Sequence, residues 1–453
     1  MLTAETLLRE KVLELYQRAL ERVDPARLVL EAVAALPTAI RRALEHRQGQ
    51  LVAVGAGKAV LSMAAALEDA LPDPAPPPGP LGKGFQPPPP MRGVVIAKPG
   101  APGPTPRRLR VLYGDHPVPG ERSVAAARAV LAELQPLGRN DLAVVLLSGG
   151  ASSLLTLPVE GVGVQALQRT TELLVRAGAP IAALNCVRKH LSRTGGGALA
   201  RAAWPASLIA LVISDVPFDR LDTIGSGPTV PDPSTYADAL RVIERAGISG
   251  ELPPEVRRHL ERGARGELPE TAKPGAPELA AARTLVIGNN RLALEAAARR
   301  ARELGYRPVV GENELIGEAS VVGRRLGERL RELARAGRGP LALVLGGETT
   351  VRVRGAGRGG RNQELATAAA LALEGVRGVV LLAAGTDGED GPTDAAGALV
   401  DGTTAARARA AGIDLEAALR ANDTYPALDQ LGALVRTGPT GTNVMDVAIA
   451  LLA

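Results

Sequence analysis

Apolar positions along the chain alternate between two kinds of segment. Short uninterrupted runs rich in valine, leucine and isoleucine are each followed by a turn of small and polar residues, then by an alanine-rich stretch with helical spacing. The runs are LVAVGAG from Leu51, GVVIAKP from Gly93, LAVVLLSGG from Leu142, LIALVISDV from Leu208, TLVIGNN from Thr284, ALVLGGE from Ala342 and VVLLAAGTDG from Val379. A strand that is apolar on both faces belongs in a sheet covered by helices on both sides. The pattern therefore predicts an α/β fold with mainly parallel sheets. In such sheets ligands bind beyond the carboxyl ends of the strands, and the glycine, serine, asparagine and acidic residues of these runs fall there. The N-terminal segment mixes charged and apolar residues with helical period and reads as a surface helix.

Two interruptions organise the chain. The stretch 72–90 (PDPAPPPGPLGKGFQPPPP) is too rich in proline for helix or central strand and reads as an extended excursion. The second, at 246–280, is charged and studded with proline and glycine, and has room for one short helix near Glu255 to Gly263. It is expected to link an N-terminal α/β domain over 1–245 to a second α/β domain over 281–453.

Composition narrows the function. The 453 residues hold one cysteine, Cys186, which excludes an intramolecular disulfide and any cysteine-based zinc cluster. No apolar run approaches the roughly 20 residues that span a bilayer, and no secretory leader pattern opens the chain. The expectation is a cytoplasmic protein without membrane contact. The net charge of +5 would suit an acidic partner, but aromatic residues at 2% give little stacking surface for nucleic acid, so none is expected. Six of the 53 basic residues are lysines. A lysine placed in a glycine-rich turn is therefore conspicuous.

That lysine is Lys58, in Gly55-Ala56-Gly57-Lys58-Ala59 at a strand-to-helix junction, where amide N–H groups and the helix dipole attract anions. The turn is neither a Walker loop, since Val52 and Ala59 occupy required positions, nor a dinucleotide fingerprint, whose third glycine is Val60 here. A tight turn carrying a solvated lysine is the plainer alternative. Ser148-Gly149-Gly150-Ala151-Ser152 offers a second donor-rich turn, equally readable as a capped helix start. Asp215 ends another strand as a candidate proton acceptor or Mg²⁺ ligand. Gly347 and Glu348 precede a glycine loop containing Arg358, Arg361 and Asn362, and arginine binds phosphate or carboxylate in bidentate fashion. Asp387 lies in an acid-dense loop that lacks the spacing of a calcium hand. His116 and His190 adjoin polar turns, but a lone histidine is more often structural. Serine-hydrolase and zinc-protease motifs are missing. Anion-binding turns, a lysine, an arginine loop and strand-end carboxylates suit phosphoryl transfer, which mainly needs positioning and charge neutralisation.

Taken in order, the motifs resemble the class II glycerate kinase family, also called GckA/TtuD-like, whose C-terminal region is the MOFRL domain. They are GAGKA at 55–59, GDHPVP at 114–119, SGGASSLL at 148–155, NCVRKHLS at 185–192, SDV with IGSGPTVPD through Asp232, GGETTV from Gly346, GGRNQE ending at Glu364, GTDGEDGPTDAAG ending at Gly397 and TGPTGTNVMD ending at Asp446. The resemblance implies a Rossmann-like first domain, a MOFRL-type second domain and an active site in the cleft between them. It implies phosphorylation of D-glycerate at its 2-hydroxyl by ATP with Mg²⁺, giving 2-phosphoglycerate and ADP, with a homodimer permitted. Lys58 and Arg361 match the basic residues expected to act on the transferring phosphoryl group, and Asp215 an acid of the same site. Gly55, Gly57, Ser148, Gly149, Gly150, Ser152, Arg188, Gly347, Glu348, Asn362 and Asp387 fall in the motifs expected to hold substrate or nucleotide; the metal ligands are not assigned. Gly195 stands where many relatives carry lysine, so Arg193 or another cation would take over if that lysine meets substrate. The alternative activity is an NAD(P)H-dependent hydroxypyruvate reductase, for which the nicotinamide fingerprint is lacking.

Overall fold

The computed structural model describes residues 4–37, 49–71 and 90–453, so all of the expected proline-rich excursion but Pro90 lies outside the described residues. The chain forms two compact units, Pro25–Ile287 and a second made of Met1–Asp24 with Gly288–Ala453.

The first unit is built on strands β1 (Leu51–Ala56), β2 (Arg92–Ala97), β3 (Arg110–Tyr113), β4 (Leu142–Leu147), β5 (Ser207–Ile213) and β6 (Ala282–Gly288). Their order is β3-β2-β1-β4-β5-β6, and every pair from β3 through β5 is parallel. This is the doubly wound order, in which the sheet reverses direction of growth between β1 and β4. Both strands are buried throughout, as their unbroken apolar runs require. Val52, Val54, Val145 and Leu147 share a core with Val124, Ala127, Val130 and Leu134 of helix Glu121–Leu134. A second apolar cluster joins helices Val164–Arg176, Ile181–His190, Tyr236–Arg245 and Pro254–Ala264 through Leu173, Val187, Ile243, Val256 and Leu260.

The stretch expected as a linker at 246–280 is thus part of the first unit. Its helix Pro254–Ala264 falls where the single short helix was expected, but Val256 and Leu260 are fully buried in the helical cluster. One i,i+4 apolar pair among many charges is a weak signal for such anchoring.

The second unit contains β7 (Arg307–Glu318), β8 (Leu341–Thr350), β9 (Val379–Gly385), β10 (Gly397–Asp401), β11 (Leu434–Val435) and β12 (Asp446–Leu452), ordered β11-β10-β9-β12-β8-β7. β7 and β8 are parallel, whereas β12 enters antiparallel between β8 and β9. The sheet is therefore mixed. Helix Arg361–Ala372 is buried along nearly its whole length, and its alanine-rich surface packs with the sheet through Leu365, Ala366, Ala369 and Ala370.

Helix Ala4–Arg22 also belongs to this second unit, although it was expected within the 1–245 domain. Its buried stripe of Leu8, Val12, Leu15 and Ala19 recurs with helical period. Polar anchors fix what that stripe meets: Tyr16 Oη donates to the Gly385 carbonyl at 2.6 Å, Arg9 binds Asp401 at 2.6 Å and Arg300 binds Glu14 at 2.8 Å.

Candidate functional site

In the first unit the turns after β1 and β4 are stitched together. Lys58 N–H donates to the Gly149 carbonyl at 2.8 Å, Ser148 N–H to Ala56 at 3.2 Å, and Ala59 N–H to Ser148 Oγ at 3.0 Å. Gly57 has φ +143° and a Cβ there would overlap Ser148 Oγ, so only glycine permits this approach. Gly55 plays a similar part, because a side chain would strike β4 at Leu146. Ser148 is buried and its hydroxyl serves the turn itself. Gly150 is left-handed, at φ +85°, and its Cβ position lies 3.0 Å from His116 Nε2 and 3.7 Å from Lys58 Cγ. The crossing thus gathers the half-buried Lys58, His116 and the Gly149-Gly150 backbone at the point where the strand order reverses. Asp215 follows directly on β5, the neighbour of β4, and is half-buried.

Beside the β4 turn a crevice of about 20 Å³ is lined by Ser152, Thr156, Arg188, Ser192, Gly195 and Ser226, among others. The Arg188 side chain makes no hydrogen bond or ion pair among the described residues, and burial without a compensating acid pulls its pKa below the usual arginine value. Its neighbours differ. Lys189 is buried against Asp232 at 3.0 Å, and His190 is buried with Nδ1 near the Cys186 carbonyl at 2.8 Å and Nε2 near Glu270 at 3.2 Å. Gly195 borders two cavities: the crevice that Arg188 lines, and a larger one lined by Arg193, which was weighed as the stand-in for a lysine at position 195 and lies 3.9 Å from Glu160.

The second unit carries a different set. Arg361 binds Asp446 through Nε at 2.6 Å and Nη2 at 2.9 Å, and its Nη1 meets Glu348 at 2.6 Å. Three of its five N–H groups are thereby occupied. Burial opposes the guanidinium charge, but Asp446 and Glu348 hold its pKa above the ordinary value. Asp390 is buried and receives the N–H groups of Asn362 and Gln363 at 3.0 and 2.9 Å, closing the start of helix Arg361–Ala372. Burial, reinforced by Asp446, pushes the Asp390 carboxyl up to about 6 despite those bonds. Asn362 is itself buried, with Oδ1 lacking a partner in the structure. Gly347, at φ +140°, is required by the close passage of Leu315 on β7. Asp387 is half-buried at the end of β9 and accepts the Glu389 N–H at 3.1 Å.

Sequence reasoning missed three residues here. Asn422 accepts the N–H groups of Arg354 and Gly355 at 2.6 and 3.0 Å, fixing the glycine loop, and donates to Glu364 at 2.7 Å. Asp446 fixes Arg361 from 85 positions away, and Tyr16 supports the end of β9 from the N-terminal helix. Nothing local marks such distant partners. Among the described residues no group of three or more histidine, cysteine or acidic side chains is arranged to hold a metal ion. No helix among them is long and apolar enough to cross a membrane.

Fold and turns together define a two-unit α/β protein with glycine-rich turns at the strand ends. A family model described as a domain of unknown function, DUF4147, matches residues 11–261, and the MOFRL family model matches 341–446. Glycerate 2-kinase of Pyrococcus horikoshii is 40% identical, over 98% of this chain and 97% of that one. D-glycerate 2-kinase of Thermotoga maritima is 41% identical over 98% of both. A crystal structure of glycerate kinase from Thermotoga maritima superposes with a TM-score of 0.83, covering 98% of this chain and 99% of the other. The chain belongs to the glycerate 2-kinase family.

Proposed function

We propose that this protein transfers the γ-phosphoryl group of ATP to the 2-hydroxyl of D-glycerate, giving 2-phosphoglycerate and ADP. The observation that carries the reading is likeness to two glycerate 2-kinases at 40% and 41% identity over nearly the full length of each chain. Phosphoryl transfer asks a protein chiefly to position an acceptor and neutralise charge on the moving group. Lys58 and Arg361 supply that neutralisation. The amides of Gly149 and Gly150 line the turn that receives anionic groups, Gly55 and Gly57 allow the two turns to approach closely, and Ser152 adds a hydroxyl. Ser148, Gly347, Glu348 and Asn362 hold those turns and Arg361 in place. Asp215 or Asp387 accepts the proton of the 2-hydroxyl.

The donor set fits Mg²⁺ that arrives with the nucleotide. Magnesium keeps several waters and takes one or two protein carboxylates together with phosphate oxygens, so a three-acid cage is not needed. Asp387, just past β9, or Asp215, just past β5, would be the carboxylate that holds it. Bound there, the metal would offset phosphate charge.

The test is ADP release from Mg-ATP. Release that requires D-glycerate supports the kinase. NADH oxidation by hydroxypyruvate, with no glycerate-dependent ADP, would replace it with a reductase. Against that outcome, β2 ends in Ala97-Lys98, where a nicotinamide site would carry an acid.

A further inference from the structure

We infer that Arg188 is the residue that selects a carboxylate, holding the C1 carboxylate of the acceptor in the crevice beside the β4 turn. The inference rests on the glycerate kinase reading and deepens it. An arginine seldom gives up water without an opposing charge, because a buried ion lacking a partner costs several kcal/mol. Here the guanidinium is half-buried with no acid beside it among the described residues.

A count of donors in the crevice gives the sign of what fits. Thr156 donates its hydroxyl hydrogen to the Ser152 carbonyl at 2.7 Å, and Thr194 donates to Leu155 at 2.6 Å. Ser192 lies 3.1 Å from Thr194 Oγ1, whose hydrogen is already engaged, so Ser192 is the donor of that pair. Its oxygen also accepts the N–H groups of Thr194 and Gly195 at 3.1 and 3.0 Å. Ser152 and Ser226 sit 3.4 Å apart, so one of their two hydrogens stays available. What remains to meet a ligand is a planar cation with its N–H groups unspent and one serine hydroxyl. That is a complement for an anion.

Shape narrows the class. A crevice of about 20 Å³ suits a small anionic group better than a triphosphate. Gly225 and Ser226 line the same crevice and are left-handed at φ +57° and +65°. For Ser226 this is a strained conformation, and such strain collects at binding sites. Any side chain at Gly195 would crowd Ser226, with its Cβ position 3.2 Å from the Ser226 carbonyl oxygen. In this chain position 195 brings no side chain into the crevice, and Arg188 is the cation that lines it. The crevice adjoins Ala151, one residue after Gly150, where His116 and Lys58 gather. A carboxylate seated on Arg188 thus points the neighbouring carbon of the acceptor toward the β4 turn.

The test compares D-glycerate with D-glyceramide, its neutral amide of the same shape, in the wild-type protein and in Arg188→Met and Arg188→Lys. Wild type is expected to prefer the acid by at least about a thousandfold in kcat/KM, as for sites built around one polar group. Arg188→Met should raise KM for D-glycerate at least about a hundredfold, reduce that preference below about tenfold and leave KM for ATP nearly unchanged. Arg188→Lys should keep the preference at reduced affinity. Equal use of amide and acid by wild type overturns the inference, a result that does not depend on any variant folding. An unchanged preference in Arg188→Met, or a loss confined to KM for ATP, overturns it as well. If wild type releases no ADP with any acceptor, the kinase reading falls by itself. Calorimetric binding of D-glycerate to wild type and Arg188→Met then decides the carboxylate site separately, with equal affinities counting against it.

Discussion

The cations of the two units live in opposite electrostatic settings. Arg188, in the parallel-sheet unit, has no acidic partner among the described residues, whereas Arg361 in the mixed-sheet unit is held by Asp446 and Glu348 with three of its N–H groups occupied. The difference teaches how far one residue type can serve two ends. A compensated arginine is fixed in place before any ligand arrives, and removing it strands its partners as well as withdrawing its charge from the transferring group. An uncompensated cation contributes little to folding and offers its charge to what binds. Lys58, gathered with His116 over the Gly150 backbone, is the cation proposed to serve the transferring phosphoryl group.

Four experiments break or sharpen this contrast. The largest effect is expected for Arg361→Gln, which leaves the Asp446 carboxylate buried beside an uncharged amide and should lower unfolding free energy by about 3 to 5 kcal/mol, read from denaturant midpoints. A loss of activity with stability intact would instead show that the pair is not structural. Next, Lys58→Ala should lower kcat at least about a hundredfold, the usual cost of removing a charge-stabilising group, with little change in melting temperature. Unchanged turnover in the folded variant would take Lys58 out of the mechanism.

The third concerns Asp390. Its carboxyl is raised from 3.8 to about 6, so the folded state favours the protonated form. The stabilising contribution of the neutral acid is complete below pH 4 and is lost as pH climbs through 6. Asp390→Asn keeps an acceptor for the helix start and cannot ionise. Its stability relative to wild type should therefore rise across that window by roughly 3 kcal/mol, and a flat difference would contradict the assignment. The smallest effect belongs to Tyr16→Phe, which removes one buried hydrogen bond to Gly385 and should cost about 1 kcal/mol without abolishing activity.

What the sequence disclosed follows from the range of the interactions involved. All seven apolar runs form strands, from β1 at Leu51–Ala56 to β9 at Val379–Gly385, and in all but the half-exposed β6 burial on both faces leaves the local trace. The Gly57 and Gly150 turns were visible for the same reason, since a required positive φ selects glycine on the spot. The remaining strands left weaker marks. β12 takes its place between β8 and β9 through pairings made more than 60 residues away, and its direction could not be read from its composition. The N-terminal helix showed which face it buries but not against which unit, a matter settled by Tyr16, Arg9 and Glu14. Ser148 looked like a ligand donor because hydroxyls that bind anions and hydroxyls that hold turns have the same chemistry; in the structure it accepts the Ala59 N–H. Arg361 was legible as a cation, but its compensation by Asp446 was not.

The position of phosphorylation tests the central claim most directly. D-Glycerate and Mg-ATP are incubated with the protein and the product is passed to enolase, which consumes 2-phosphoglycerate. A signal that needs ATP, D-glycerate and enolase together is the result predicted. ADP release without an enolase signal would place the phosphoryl group elsewhere and contradict transfer to the 2-hydroxyl.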